Sequence, residues 1–316
     1  MTTLSTLLAL LALLALLGGY AGAHHAAGDS LAVFRPWLAG AAILFALPLL
    51  LAGPRWLALL VMAPALVALA GVLLPRAIPP EPPGPFAVYQ KNLRHDVEHV
   101  AEILWDIEAT RPDAIMLQEV SAGNEALLRL LGDAYPHQLR CPTGMGIGDT
   151  AILSRHPVVP GSERCDLFRA SVARVETPEG PLWLVSAHLR WPWPLDQAGQ
   201  VEALAAALAA LDGPKVVGGD FNAVPWSHAV RRLSEALGAR PVGPAPATLR
   251  LGGVLPLPID HVLATGPGRV ARSPLAGSDH HGLLARVAPF DAWPEAPPWS
   301  AEGLSAALSR YLHERG

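Results

Sequence analysis

The sequence has few lysines and no surplus of positive charge. It contains 23 basic residues against 27 acidic ones, for a formal net charge of −4, and Lys91 and Lys215 are its only lysines. Proteins that bind nucleic acid through their overall electrostatic field carry a basic surplus. This composition therefore argues against non-specific nucleic-acid binding. The 316 residues are enough for a large core.

Cysteine is also scarce, with Cys141 and Cys165 the only two in the chain. A disulfide between them would close a modest loop and would suit an oxidising compartment. The alternative is two unrelated buried thiols. The disulfide interpretation predicts a bridge between these residues and a location outside the cytoplasm.

Charged side chains are missing from three long stretches near the N-terminus, at residues 4–23, 36–53 and 56–74. Each stretch has roughly the 17–25 residues that a membrane-spanning helix needs. A buried core helix is the alternative for each, but a soluble helix usually keeps one polar stripe. We therefore predict a transmembrane anchor of three helices over residues 1–76.

The first apolar stretch has a second interpretation, as a secretory signal peptide. Ala21-Gly22-Ala23 resembles a small-residue cleavage site, but no Lys or Arg precedes the stretch and it is long for a signal core. Both interpretations place the rest of the chain on the outer side of the membrane if the N-terminus starts inside. We therefore expect the residues after Arg76 to lie outside the cytoplasm.

A proline-rich segment at residues 77–85 follows the apolar region and predicts a stiff, extended linker. Strand-like and helix-like segments alternate over residues 86–288, including a helix that Asp96 would cap and that ends near Thr110. Many strands with few helices favour an α/β sandwich over a single doubly wound sheet. Residues 289–316 form a C-terminal tail, and residues 299–316 have the pattern of an amphipathic helix.

Five short motifs in this second part carry carboxylate, amide and imidazole side chains. Taken singly, each has an ordinary structural explanation, such as a turn, a helix-terminal charge or a core histidine. Together, and in this order, they point to one catalytic site. The motifs are Gln118-Glu119, Ser186-Ala187-His188-Leu189, Gly219-Asp220-Phe221-Asn222, Ile259-Asp260-His261 and Gly277-Ser278-Asp279-His280-His281.

The acidic and amide residues of these motifs follow apolar strands, which aim them into a cleft at the edge of a sheet. Hard cations such as Mg²⁺ prefer oxygen ligands and take one or two carboxylates from the protein. Glu119 and Asp279 supply carboxylates, with Asn92 as a neutral amide nearby. Gly218 and Gly219 would let the backbone approach a phosphate closely. We interpret His24, His25 and His261 as structural or incidental, and these residues do not enter the predicted site.

Residues 86–288 resemble the endonuclease/exonuclease/phosphatase superfamily, whose fold is that of DNase I. The resemblance implies a four-layer α/β sandwich in which two mixed sheets are flanked by helices, preceded here by the helical anchor. The anchor resembles that of a membrane-bound bacterial branch, which implies an integral protein of the bacterial cell membrane. The matched positions are Asn92 at the end of the first strand, Glu119 after a glutamine, His188 before a leucine, Asp220 and Asn222 in Gly-Asp-x-Asn, Asp260 after an apolar residue, and Asp279 and His280 in Ser-Asp-His.

The resemblance also implies roles for these residues. Mg²⁺ or Mn²⁺ would be held by Glu119, with Asn92 and Asp279 close by. Asp220 and Asn222 would align the attacking water, and Asn222 and His188 would contact the substrate phosphate. His280, oriented by Asp260, would act as a base or stabilise the phosphate.

These roles predict a membrane-anchored, metal-dependent phosphoesterase that acts on a phosphodiester or phosphomonoester beside a lipid bilayer. The alternatives are a nuclease acting on DNA or RNA and, in a different class, a non-catalytic binding protein on the same fold. A non-catalytic protein is expected to have lost Glu119, Asp220 or His280, and all three are present. No protein partner is evident, and the segment Trp191-Pro192-Trp193-Pro194 would stack on a base, meet a lipid interface or pack on the domain.

Overall fold

The computed structural model describes residues 2–98, 100–144, 146–165 and 168–293. The C-terminal amphipathic helix expected at residues 299–316 lies outside the described residues. Four helices open the chain: α1 Thr2–Gly18, α2 Ala27–Val33, α3 Arg35–Ala52 and α4 Arg55–Ala77. Four more helices occur within the second part: α5 Ala101–Thr110, α6 Ala126–Leu130, α7 Gln197–Ala209 and α8 His228–Leu237.

The strands of the second part alternate with these helices. In chain order they are β1 Phe86–Asn92, β2 Ala114–Val120, β3 His137–Cys141, β4 Asp149–Ser154, β5 Ala170–Thr177, β6 Gly180–His188, β7 Lys215–Asp220, β8 Arg240–Pro241, β9 Leu249–Leu251, β10 Leu255–Leu257, β11 Asp260–Ala264, β12 Gly268–Arg272 and β13 Leu283–Val287. A six-stranded sheet has the order β12-β13-β1-β2-β4-β3, and a five-stranded sheet has the order β5-β6-β7-β11-β8. Both are mixed, since β1 pairs parallel with β2 and β6 parallel with β7.

The two sheets face each other across an apolar core and carry helices on their outer faces. Val88, Met116, Leu184 and Val216 lie in the core between the sheets. Helix α5 packs on the outside of the six-stranded sheet, and α7 and α8 pack on the outside of the five-stranded sheet. The expected four-layer α/β sandwich is therefore confirmed.

Two of the three predicted membrane spans are long enough to cross a bilayer. Among the described residues, the helices with sufficient length and apolar character are Arg35–Ala52 and Arg55–Ala77. Helix α1 has 17 residues and ends at Gly18, five residues before the predicted end. At 1.5 Å per residue it spans ~26 Å, less than the ~30 Å hydrocarbon core. A three-span anchor is therefore not confirmed, because α1 ends at Gly18, the chain turns at Gly19-Tyr20, and the short helix α2 follows from Ala27.

The sequence interpretation misplaced one helix start. Helix α5 begins at Ala101 with Val100 at its N-cap position, and Asp96 makes no cap. The carboxylate of Asp96 instead pairs with the guanidinium of Arg94 at 2.7 Å on the surface. A charged neighbour two residues away is a closer partner for Asp96 than the helix backbone.

The expected disulfide joins Cys141 at the end of β3 to Cys165, across 24 residues of chain. Helix α2 connects the N-terminal helices to the sandwich. The carboxylate of Asp29 in α2 accepts hydrogen bonds from the backbone N–H groups of His228 and Ala229, at 2.7 and 2.9 Å. These groups lie at the N-terminus of α8, where a negative charge is stabilising. The Trp226 indole N–H donates to the Ala32 carbonyl at 2.8 Å, so the two parts are in direct contact.

Candidate active site

The predicted site residues meet at one end of the sandwich. His188 ends β6 and lies beside Asp220, the last residue of the parallel strand β7. Asp260 begins β11 and pairs with Asp220 from the antiparallel side. Asn92 ends β1 in the other sheet, and its amide donates to the Asp220 carboxylate at 3.0 Å. The site therefore draws on both sheets.

These side chains line a cleft with a volume of about 570 Å³. Its lining includes Glu119, His188, Asp220, Asn222, Asp279 and His280. Asn92 and Asp260 lie beneath, as buried side chains that hydrogen-bond to the lining residues. The structure therefore brings together all the residues that the sequence selected, and the roles assigned to them stay predictions.

His280 and Asp260 form the tightest polar pair of the cleft. The imidazole Nδ1 of His280 lies 2.8 Å from Asp260 Oδ2, and Asp260 is fully buried. The amide of Gln90 donates to the other carboxylate oxygen at 3.0 Å. Although burial opposes a charge on His280, the carboxylates of Asp260 and Asp220 outweigh it and raise its pKa to about 10. These two carboxylates therefore favour the imidazolium form of His280.

Asp220 lies between two histidines. Its Oδ2 is 3.6 Å from His188 Nε2 and 3.8 Å from His280 Nε2. Burial, together with the nearby charge of Asp260, raises the pKa of Asp220 to about 7 despite the opposing effect of His280. The raised pKa means that nearby positive charge does not fully stabilise the ionised carboxylate.

His188 has the opposite electrostatic environment from His280. Burial and the positive charge of Arg169 lower the pKa of His188 to about 4. The guanidinium Nη2 of Arg169 lies 3.1 Å from His188 Nδ1 and can only donate, so Nδ1 accepts. The proton of the neutral ring is therefore on Nε2, which faces the Glu119 and Asp220 carboxylates.

Glu119 reaches the cleft through an irregular backbone. The pairing of β2 with β4 shifts register between Leu117 and Val120, and Glu119 has a φ of 59°. Such a conformation is strained for a residue with a side chain. Gly148 packs against this point, where a Cβ would come within 2.6 Å of the Glu119 backbone. The bulge turns the Glu119 carboxylate toward Asn92, whose amide donates to it at 2.9 Å.

The donor set fits a hard divalent cation. Side-chain atoms of Glu119, His188 and Asp220 lie within 4.8 Å of one another, as do those of Asp220, Asp260 and His280. Because the histidine nitrogens that face these groups carry protons, the carboxylates are the donors available to a metal. Two carboxylates facing one cleft suit Mg²⁺, and a cation there would supply the charge that the raised pKa of Asp220 shows to be missing. Asp279 lines the same cleft but belongs to neither cluster.

Asn222 also takes a left-handed backbone conformation, with a φ of 46°. Its backbone N–H donates to Asp220 Oδ1 at 2.9 Å, and its side-chain amide donates to the Leu189 carbonyl at 2.9 Å. The Gly-Asp-x-Asn motif therefore forms a turn that holds Asp220 in place. Asn222 lines the cleft beside it.

Sequence reasoning missed Lys91 and Arg169. The buried ammonium of Lys91 donates to the carbonyls of Leu275 and His280, at 2.8 and 2.7 Å, and holds the loop that carries Asp279. Burial lowers its pKa to about 8. A lysine in a buried strand, next to Asn92, was a visible signal for this role. Arg169 had no comparable signal, because its partner His188 is distant in sequence.

The glycines before Asp220 have a different role from the one expected. A Cβ on Gly218 would meet the sulfur of Met116 in the facing sheet at 2.7 Å, and one on Gly219 would clash with the backbone of Ala187. Both residues are buried within β7. Gly218 allows the two sheets to pack closely and Gly219 allows β7 to lie against β6, and neither lines the catalytic cleft. The expected approach of this backbone to a phosphate stays a prediction.

The remaining histidines and the tryptophan segment behave as structural elements or as part of the cleft wall. His261 Nε2 lies 2.7 Å from the Ala223 carbonyl and is fully enclosed, in line with a structural role. Trp191 packs on Ala32 and Val33 of α2 and also lines the cleft. Trp193 is 55% exposed, and its carbonyl accepts from the Ser30 hydroxyl at 2.7 Å.

A family model for the endonuclease/exonuclease/phosphatase family matches residues 89–280. The chain belongs to this family. Family members hydrolyse phosphate esters with divalent metals. The match spans the site residues from Asn92 to His280 and leaves the N-terminal helices outside.

Several solved structures of other proteins have the same fold as this chain. The endonuclease/exonuclease/phosphatase from Beutenbergia cavernae DSM 12333 is 20% identical, with a TM-score of 0.51 over 64% of this chain and 71% of that one. The endonuclease domain of TRAS1, a telomere-specific non-LTR retrotransposon, is 17% identical, with a TM-score of 0.50 over 66% and 100%. A family protein from Bacteroides vulgatus is 16% identical, with a TM-score of 0.51 over 63% and 97%. No curated protein matches the sequence.

Proposed function

We propose that this family member is a membrane-anchored, divalent-metal-dependent phosphoesterase that hydrolyses a phosphodiester or phosphomonoester by in-line attack of water. The observation that carries the proposal is the convergence of the Asp260–His280 pair with Asp220 and Glu119 in one cleft. A non-catalytic binding protein is the weaker alternative, because Glu119, Asp220 and His280 are all present and line the same cleft.

Glu119, with Asn92 and Asp279 nearby, would hold Mg²⁺ or Mn²⁺. When bound, the cation would neutralise the negative charge that develops on a phosphate oxygen. The amide of Asn92 donates to the carboxylates of both Glu119 and Asp220, which fixes their spacing. Asn92 therefore positions two oxygen donors in addition to any direct contact of its own.

The two histidines would make different contacts with the phosphate. His280, as an imidazolium held by Asp260, donates from Nε2 to a phosphate oxygen and balances its charge. His188 is neutral with its proton on Nε2, and donates a hydrogen bond without adding charge. Asp220 is buried beside this position and would accept the proton of the attacking water, which the adjacent Asn222 turn helps to position.

Helices α3 and α4 support the membrane anchor. Their lengths and composition allow each to cross a bilayer, and large apolar side chains such as Leu44, Leu51, Trp56 and Leu59 are exposed on them. Apolar surface of this kind is stable in lipid and unfavourable in water. The Cys141–Cys165 disulfide supports a catalytic domain outside the cytoplasm.

The hydrolysis can be tested on the full-length protein purified in detergent with Mg²⁺. Release of nitrophenol from bis(4-nitrophenyl) phosphate, above the background of a His280→Ala preparation, would support the proposal. Parallel arms with plasmid DNA, RNA, phospholipid and inositol phosphates would identify the substrate class, and a preference for DNA or RNA would favour the nuclease alternative. If the parent protein and the His280→Ala variant hydrolyse every one of these substrates at the same rate, the proposal is overturned.

The topology is tested separately with reporters fused after Gly316. A reporter that works only outside the cytoplasm should be active in this fusion, and one that works only inside should be silent. The reverse result would contradict the proposed orientation without affecting the chemistry.

A further inference from the structure

A second cleft, with a volume of about 600 Å³, lies where the N-terminal helices meet the sandwich. We call it the arginine cleft. Its walls are the last turns of α4, Arg35 at the start of α3, one face of α8 and the segment after β8. The catalytic cleft and the arginine cleft have no lining residue in common.

The arginine cleft lies at the level where the proposed spans leave the bilayer. Helices α3 and α4 are joined by Gly53 and Pro54 alone and pack against each other. The start of α3 and the end of α4 are therefore on the same side of this helical hairpin. Arg35 and Arg76 mark these two ends, and both line the cleft. Lipid headgroups occupy this level of a membrane.

The charges around the arginine cleft are predominantly positive. Four arginines line it, against the single carboxylate of Glu235. Among the described residues, none of Arg35, Arg76 and Arg231 forms an ion pair. The fourth arginine is Arg240, whose guanidinium lies 5.5 Å from the ring centre of Trp293. Leaving Arg240 aside, Arg35, Arg76 and Arg231 thus bring three positive charges to the cleft against the one carboxylate that lines it.

Arg35 is the most confined of these side chains. It is 7% exposed, donates from Nη2 to the Gly19 carbonyl at 2.9 Å and lies 3.9 Å from the ring centre of Tyr20. Its Nε is buried and has no hydrogen-bond partner within the described part of the chain. A buried guanidinium that is only partly satisfied is unfavourable. An anion in the cleft would compensate its charge.

Apolar groups form the remaining wall of the cleft. Val72, Leu74, Pro75 and Ile78 line it from the α4 side, next to the surface that would face lipid. A free phosphate ion would use the arginines and leave this wall unused. A phospholipid would place its headgroup against the guanidinium groups and its glycerol and upper acyl chains against the apolar wall.

We propose that the arginine cleft binds the phosphodiester headgroup of an anionic membrane lipid and thereby fixes the catalytic domain against the bilayer surface. The inference rests on the membrane insertion in the proposed function but not on the hydrolysis. The bound lipid is a structural ligand, because the catalytic residues line a different cleft.

The test measures lipid binding to the full-length protein in detergent. The probe is dihexanoyl phosphatidylglycerol, with dihexanoyl phosphatidylcholine and sodium phosphate as comparison ligands, and the readout is the concentration dependence of the thermal shift. The double variant Arg76→Gln/Arg231→Gln removes two exposed arginines of the cleft. The control Arg55→Gln/Arg232→Gln removes the same number of positive charges outside the cleft. Arg55 lies at the opposite end of the helical hairpin, and Arg232 lies on α8, where it pairs with Glu202.

We expect phosphatidylglycerol to stabilise the parent protein saturably, and the cleft variant to bind it ~30-fold more weakly, which corresponds to ~1 kcal/mol for each arginine near anionic lipid. The control should bind within about 2-fold of the parent. Equal weakening in both double variants would overturn the proposal, as would equal binding of phosphatidylcholine. Stabilisation by sodium phosphate at the same concentrations would assign the cleft to a soluble anion and overturn the lipid assignment.

Hydrolysis of a soluble phosphodiester is measured on the same samples. If the parent protein hydrolyses the soluble phosphodiester but binds no phosphatidylglycerol, this inference alone is refuted. Saturable lipid binding without any hydrolysis would instead refute the proposed function.

Discussion

The catalytic cleft and the arginine cleft offer opposite chemistry to a phosphate ester. The first is lined by four carboxylates, two histidines and two arginines, and the second by four arginines and one carboxylate. The carboxylates of Glu119 and Asp220 repel a phosphate unless a cation lies between them, whereas the surplus arginines of the second cleft would compensate it directly. Under the two proposals, one chain has separate sites for reaction and for attachment to the membrane.

The two clefts also differ in how their side chains are held. In the catalytic cleft a buried network fixes the reacting groups, with Gln90 bonded to Gln118 at 2.8 Å and Gln118 bonded to Ser186 at 2.9 Å. In the arginine cleft Arg76 and Arg231 are exposed, whereas Arg35 is buried. The side chains of the catalytic cleft are therefore more strongly preorganised than those of the arginine cleft.

The largest expected effect separates the two clefts through His280. Replacing His280 by Ala removes a charged donor to the phosphate and should lower kcat for phosphoester hydrolysis by about 10²–10³-fold, the usual loss for one transition-state donor. Steady-state assays would measure this change, and lipid binding at the arginine cleft should be unaffected.

His281→Ala is the matched control for this prediction. Its ring Nδ1 lies 2.9 Å from the Ser273 carbonyl, and His281 does not line the catalytic cleft. We expect its kcat to stay within a few-fold of the parent. Equal losses in the two variants would mean that the catalytic histidine is misassigned.

Removal of the disulfide should lower stability more than it changes either phosphoester hydrolysis or lipid binding. The pair of changes Cys141→Ser and Cys165→Ser opens a loop of 24 residues, worth about 3 kcal/mol in the chain-entropy model. For a domain of this size the melting temperature should fall by roughly 6–12 °C. Calorimetry of the parent and the double variant would measure the difference.

The redox state of the native protein provides a further check on the same bridge. Protein taken from its own membrane and denatured without reductant should contain no thiol that can be alkylated. Two alkylated thiols would count against both the bridge and the extracytoplasmic location.

The smallest expected effect lies at the junction between the two parts. Replacing Asp29 by Asn removes the charge that caps α8 and should lower stability by ~1 kcal/mol. Hydrogen exchange should then show faster opening of α2 and of the first turn of α8. Asp196→Asn is the matched control, because Asp196 caps α7 within the sandwich, with a 3.1 Å bond from the Gly199 N–H. Faster exchange at α2 in the control would refute a specific role for Asp29.

Much of the catalytic site could be predicted from the sequence because its residues end or begin strands. Asn92, His188, Asp220 and Asp260 each occupy a strand terminus, and apolar strands followed by polar residues are visible locally. The layered fold follows from the same alternation of strands and helices. The arrangement of these strand ends around one cleft required the resemblance to a known family.

Long-range contacts explain what the sequence did not predict. The left-handed backbone of Glu119 depends on a bulge and on Gly148 packing against it. The role of Arg169 depends on His188, 19 residues away. The length of α1 was overestimated because apolar composition continues past Gly18, where the chain already turns.

The metal requirement tests the central claim most directly. Hydrolysis of bis(4-nitrophenyl) phosphate by the full-length protein is measured against free Mg²⁺ after treatment with EDTA, for the parent and for Glu119→Gln. The account predicts no hydrolysis in chelator, recovery with Mg²⁺ or Mn²⁺, and at least a ~10–100-fold higher half-saturating Mg²⁺ concentration for the variant. Full hydrolysis in chelator, or an unchanged Mg²⁺ requirement in Glu119→Gln, would contradict it.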